Sequence, residues 1–250
     1  MIIANMATYP KRSDILKETL PKIAGQVDRL NLVLNEYEEI PDWLADVPSV
    51  VPVIPETDLK DVGKFLPSIP ASAQAVFLVD DDLVYPEDYV AKSLKRLDQI
   101  GQIRAVMGYH YSIYRAPRPI DQGRAYKRDV IHFGKPRGKF RYVDQLGSGT
   151  VVVRPSDLPP LDYMQGSQKF VDVRLARWCF EQDIAQIAAP RSKQWIVNAP
   201  VEETIFETFT LTFPENVDEE ILSFAFKRNT INQEVFGDGS HASLGPSSTI

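Results

Sequence analysis

A chain of 250 residues, 44% hydrophobic and 25% charged, has the make-up of an ordinary soluble domain, which excludes wholesale disorder. No apolar run approaches the roughly 20 residues that span a bilayer. The first residues lack the basic start of a secretory leader, and a lone Cys179 excludes an internal disulfide or a cysteine metal cluster. The expected location is therefore the cytoplasm, and the net charge of −6 argues against general nucleic-acid binding.

The first half alternates short apolar runs with helical patterns, as α/β domains do. Ile2 to Thr8 reads as a strand, and Ser13 as the N-cap of a helix carrying Ile15, Leu16, Leu20 and Ile23. Leu30–Leu34 is expected as a second strand and Val50–Ile54 as a third, at a sheet edge because of Pro52. Ala75–Val79 is apolar throughout, which predicts a strand buried on both faces. Pro86 is expected to open a helix to about Ile100, and Ile103–Tyr114 to form one further strand. Beyond it, Arg141–Arg154 contains a strand ending in Val151-Val152-Val153. A helix over Lys169–Gln182 puts Val171, Leu175, Trp178 and Cys179 on one stripe. Ile184–Ala189 and Gln194–Val197 read as short strands, and Asp218–Arg228 as a last helix. Trp43, Trp178 and Trp195 are expected in the core, with Cys179 a small buried hydrophobe.

Charge is uneven. Between Tyr111 and Val143 stand nine Lys and Arg residues, Arg115, Arg118 and Arg124 through Arg141, against Asp121 and Asp129. Aromatics and turn formers are interleaved, the composition of a mobile loop able to grip an anion such as a diphosphate or a lipid head group. A plain solvated excursion is the alternative.

The sharpest local feature is Phe77-Leu78-Val79-Asp80-Asp81-Asp82. Three adjacent carboxylates repel one another, and they end a buried strand at the sheet edge where α/β folds bind ligands. A divalent cation would relieve the repulsion, and hard oxygen donors suit Mg²⁺ or Mn²⁺. An acidic turn in which one aspartate caps the next helix is the competing reading.

The order of a strand, Ala7-Thr8-Tyr9-Pro10-Lys11-Arg12, a helix, Leu32-Val33-Leu34-Asn35-Glu36, Asp61-Val62-Gly63-Lys64-Phe65 and the acidic triplet resembles the GT-A glycosyltransferases of bacterial surface-polysaccharide synthesis. The resemblance covers about residues 1–110, and 140–185 more loosely. It implies one α/β domain over 1–236, with a mixed central sheet flanked by helices. Residues 1–110 would be a nucleotide-binding half and 111–236 an acceptor-binding half, with 237–250 a mobile tail.

It further implies that Thr8, Tyr9, Pro10 and Arg12 hold the base of a nucleotide-sugar donor, a UDP-sugar, and that Asn35 hydrogen-bonds that base where the family more often has aspartate. Lys64 would lie near the ribose or diphosphate, Asp80 and Asp81 beside the donor, and Asp82 on the metal. Gly147, Ser148 and Gly149 would lie beside the acceptor, a glycan or lipid-linked hydroxyl. Asp172, at the start of its helix, would be the general base, with inversion as the outcome; helix capping is the competing role for it. His241 is a candidate third metal ligand. The basic 111–143 segment offers peripheral contact with a membrane.

Two other chemistries fit parts of the pattern. Asp80-x-Asp82 after an apolar strand is similar to the nucleophile motif of haloacid-dehalogenase-like phosphatases, although 79 residues precede it. A sugar nucleotidyltransferase would need glycines after the first strand, and Ala7-Thr8-Tyr9-Pro10 has none.

Overall fold

The structure, a computed structural model, describes residues 1–116, 125–200, 215–227 and 243–244. β1 (Ile2–Thr8), α1 (Ser13–Ala24), β2 (Arg29–Leu34), β3 (Val50–Val53), β4 (Ala75–Asp80), β5 (Leu83–Val84) and α2 (Tyr89–Ile100) make up the first half. A 3-10 turn at Lys60–Phe65 lies between β3 and β4. There follow β6 (Ala105–Gly108), β7 (Tyr111–Arg115), β8 (Lys127–Ile131), β9 (Phe140–Tyr142), β10 (Gln145–Leu146) and β11 (Thr150–Val153). After them come α3 (Leu161–Met164), α4 (Val171–Glu181), β12 (Ala185–Ala188), β13 (Val197–Asn198), α5 (Glu215–Phe224) and β14 (Ser243–Leu244).

A nine-stranded mixed sheet runs β14-β9-β12-β6-β11-β4-β1-β2-β3. β4, β1, β2 and β3 are parallel, and β11 is antiparallel to β4. β4 shows why its apolar run is unbroken. Successive side chains point to opposite faces, and both faces are covered: Phe77 and Val79 share a core with Leu16, Leu20 and Ile23 of α1, while Val76 and Leu78 share one with Val171, Leu175 and Cys179 of α4. Strand β3 with Pro52 lies at the sheet edge, as expected. Parallel registry then sets Thr8 opposite Leu34 and Ala7 opposite Asp80, so the carboxyl ends of β1, β2 and β4 form one rim.

Four expectations change. Ser13 is the first residue of α1 and not its cap, because a 3-10 turn at Pro10–Arg12 leads straight into the helix. Helix α2 begins at Tyr89, after a turn in which the Pro86 carbonyl accepts the Tyr89 N–H at 2.9 Å. Ile103–Tyr114 is two strands: the Thr150 hydroxyl accepts the N–H groups of Tyr109 (3.2 Å) and His110 (2.9 Å), and β7 leaves for a second sheet, β10-β7-β8. The described part of the basic segment contains strands β7, β8 and β9, with turns between the last two, and is not one loose loop. β7 and β8 form an antiparallel pair in which Asp129 meets Arg115 at 2.6 Å and Lys127 at 4.0 Å.

Arg118, Arg124 and Asp121 lie outside the described residues, as does His241. Within the expected tail, Ser243–Leu244 pairs with β9. Trp43, Trp178 and Trp195 pack partly buried against the cores, and Cys179 is fully buried, its thiol pushed up by burial. Among the described residues no helix is long and apolar enough to cross a membrane.

Candidate active site

The rim of β1, β2 and β4 opens into a cleft of about 620 Å³. It is lined by Thr8, Tyr9, Arg12, Asn35, Lys64, Asp80, Asp81, Asp82, Gly147, Ser148, Gly149 and Asp172. Of the site residues expected from sequence and described here, only Pro10 does not line it; Pro10 opens the 3-10 turn that swings Arg12 inward.

On the donor side the acidic triplet is already partnered. Lys64, itself only 3% exposed, forms an ion pair with Asp80 and lies 3.4 Å from the Ser148 hydroxyl. Arg12 reaches Asp82 Oδ2 at 3.1 Å, and the Thr8 hydroxyl donates to Asp81 Oδ2 at 2.7 Å. Part of the charge relief expected from a divalent cation thus comes from the chain itself. Asn35 is also committed: its amide donates to the carbonyls of Thr8 (3.3 Å) and Lys60 (3.0 Å) and accepts the Leu59 N–H (3.0 Å). Its visible work is to clip two loops together.

The opposite wall is the turn Gly147–Gly149 between β10 and β11. A Cβ on Gly149 would stand 1.8 Å from Asp80 Oδ2, so only glycine lets the backbone come this close. Tyr85, fully buried, ties the two walls: its hydroxyl accepts the Asp80 N–H at 2.8 Å and donates to the Gly149 carbonyl at 2.6 Å. Asp172, in the first turn of α4, accepts the Ser148 N–H at 2.7 Å. Behind Gly147 sit His110 and His132, with ring centroids 5.6 Å apart, and Phe133 against His132 at 3.8 Å.

Burial raises the Asp172 carboxyl, against the pull of the Ser148 N–H and Lys64. The Asp81 carboxyl is pushed up to about 7, by burial first and then by Asp82; Asp82 is raised by burial and by Asp80, against Arg12. Burial presses the Lys64 ammonium down, but Asp80 more than restores it, so the net direction is up. His110 is pushed down to about 3, by burial first and by His132 next, and is neutral at pH 7.

Among the described residues no three His, Cys, Asp or Glu side chains are placed to hold a metal alone. Asp80 and Asp82 nevertheless each present a carboxylate to the cleft with one oxygen engaged by a cation. Hard donors of this kind suit Mg²⁺ or Mn²⁺ completing its shell with water and ligand phosphates, and not a protein-only cage.

No family model matches the sequence, and no curated protein does. Among solved structures the chain is similar to S. aureus TarS 1–349 in complex with UDP-GlcNAc, with a TM-score of 0.51 and 13% identity, covering 93% of this chain and 69% of that one. It is similar also to S. aureus TarS 1–349, with a TM-score of 0.52 and 15% identity, covering 93% and 68%. The chain has the GT-A fold. At such identity the fold is what the two proteins share, and the chemistry of this one must be argued from its own residues.

Several of those residues escape a reading of the sequence. Tyr85, just past the acidic triplet, and Asp61, inside a quoted motif, carry no local sign of the Gly149 carbonyl and Lys169 N–H that they bond, 64 and 108 residues away. Arg128, His110, His132 and Phe133 also line the cleft, brought there by the break between β6 and β7. Asn198 lines it too, because β13 pairs with β5 and the Ala199 N–H bonds the Asp82 carbonyl at 2.8 Å.

Proposed function

We propose that this protein is a glycosyltransferase moving a sugar from a UDP-linked donor to a hydroxyl of a glycan or lipid-linked acceptor. The observation that supports it is one cleft, in a GT-A fold, gathering a base-side loop, cation-paired carboxylates and an aspartate at a helix start. A related structure that binds UDP-GlcNAc points to the same donor class. The fold favours this reading over a phosphatase.

In this reading Thr8 and Tyr9 flank the nucleotide, and Arg12 and Lys64 bring positive charge to its diphosphate. Asp172 is the base. Ser148 holds its carboxylate through both backbone N–H and side chain, and the carboxylate lines the cleft where the acceptor hydroxyl would meet it. Its raised carboxyl is a stronger proton acceptor than a solvated aspartate. As the acceptor oxygen attacks the anomeric carbon, its proton passes to Asp172, and the bond to the nucleoside diphosphate breaks on the far face, giving inversion. Asp82 with Asp80 would hold Mg²⁺ or Mn²⁺, which when bound neutralises charge on the departing diphosphate. The basic 111–143 segment is the surface we assign to an anionic acceptor or membrane face.

Thermal shift with UDP, with and without Mn²⁺, tests the donor site: a hundredfold excess over Kd should add about 2.7 kcal/mol. Asp82→Ala should abolish the Mn²⁺-dependent part. Asp172→Asn should keep UDP binding and lose UDP release from UDP-GlcNAc. No shift from UDP under either condition sinks the reading.

A further inference from the structure

We infer that Asp61 is a positioning residue for Asp172, acting through the backbone of Lys169; the inference rests on Asp172 being the base. The 3-10 turn Lys60–Phe65 carries two functional groups. Lys64 points to Asp80 on the donor side. Asp61 reaches the other way, and its Oδ1 and Oδ2 accept the Lys169 N–H at 2.8 and 3.1 Å. One short turn therefore grips both sides of the cleft, and Asp61, Lys64, Lys169 and Asp172 all line it.

What Asp61 holds is a conformation the chain does not adopt readily. Lys169 has φ +73°, a left-handed backbone that an L side chain enters at a cost. Gly166, three residues earlier, has φ +80° without such a cost. Lys169 leads directly into Phe170, whose carbonyl accepts the Val173 N–H at 2.9 Å, and so into the first turn of α4 with Asp172. Val62 and Phe65 pack in one cluster with Met164 and Val171, but apolar contact is non-directional. The Phe170 N–H bonds the Ser167 carbonyl at 2.9 Å, and the Asp61 carboxylate adds the directional contact at Lys169 itself, where the chain turns into α4. Its surroundings fit this role: burial pushes the Asp61 carboxyl up to about 6 while the Lys169 N–H and Lys64 favour its ionised form and Asp172 opposes it.

The test is steady-state UDP release from UDP-GlcNAc with water as acceptor. Asp61→Ala should lower kcat on the order of tenfold or more, as small misplacements of a reacting group do, with KM for UDP-GlcNAc little changed. Asp61→Asn, which keeps an oxygen for the Lys169 N–H, should recover most of the loss. Lys169→Gly in the Asp61→Ala background should recover part, because glycine takes φ +73° freely. A merely stabilising Asp61 would lower the melting temperature without that kcat pattern or its rescue. Asp61→Ala at wild-type kcat, alongside an inactive Asp172→Asn, overturns this inference alone. An Asp172→Asn enzyme with normal turnover overturns the base assignment and this inference with it. Should Asp61→Ala fail to fold, hydrogen exchange in the wild-type chain decides: the Lys169 amide should be protected, and exchange at the free rate overturns the role.

Discussion

The two walls of the cleft solve opposite problems. The β1–β4 wall concentrates charge and balances it internally, Asp80 with Lys64, Asp82 with Arg12 and Asp81 with the Thr8 hydroxyl. The Gly147 wall carries Asp172, held by the Ser148 N–H, and is otherwise built from glycine backbone, a neutral His110 and the His132–Phe133 pair. In the proposed function, one wall would meet the donor diphosphate and the other would let the acceptor approach closely. The lesson is that a cleft can separate electrostatics from close backbone approach, giving each its own stretch of chain.

The sharpest way to break that division is to thicken the Gly147 wall. Gly149→Ala drives a methyl into Asp80 Oδ2, and Asp80 cannot retreat without leaving Lys64. UDP release should fall on the order of a hundredfold, and the circular-dichroism melt should drop as well, because the buried Lys64 loses its partner.

Next in size is a difference in pH response. His110 is pushed down to about 3, so the unfolded chain takes up a proton that the folded one refuses. Its contribution to stability is present above about pH 6.5 and is lost as pH falls towards 3. By pH 5 that loss is about 2 kcal/mol, and His110→Gln should remove it, flattening the acid side of a urea-denaturation series. The carboxyls run the other way. Asp81 and Asp61, pushed up to about 7 and about 6, favour the folded state when protonated, so their contribution is lost as pH rises through those values. The smallest effect sharpens the link between the walls. Tyr85→Phe leaves the Asp80 N–H and the Gly149 carbonyl without their shared hydroxyl, for a loss of about 1–3 kcal/mol in the same assay.

Much of the charged wall was legible. An apolar β4 leading into three aspartates announces both a buried strand and a charged rim, because an unbroken run needs two covered faces. The Gly147 wall was not. Nothing in Ile103–Tyr114 marks the break made by the Thr150 hydroxyl some 40 residues later, and without the break His110 never reaches the cleft. Asn35 shows the same limit within one residue. Its place at the end of β2 could be read, but its bonds to Leu59 and Lys60 depend on a loop whose path no local pattern fixes. Ser13 failed as a cap for a related reason: Pro10 had already turned the chain.

The pairing of Asp80 with Lys64 and of Asp82 with Arg12 has one more consequence. An incoming phosphate finds both cations engaged, so occupancy is an exchange of ionic partners and not a simple addition of charge. The ease of that exchange is governed by what the two aspartates can turn to once released, so in the proposed function a hard cation and a phosphate would enter together.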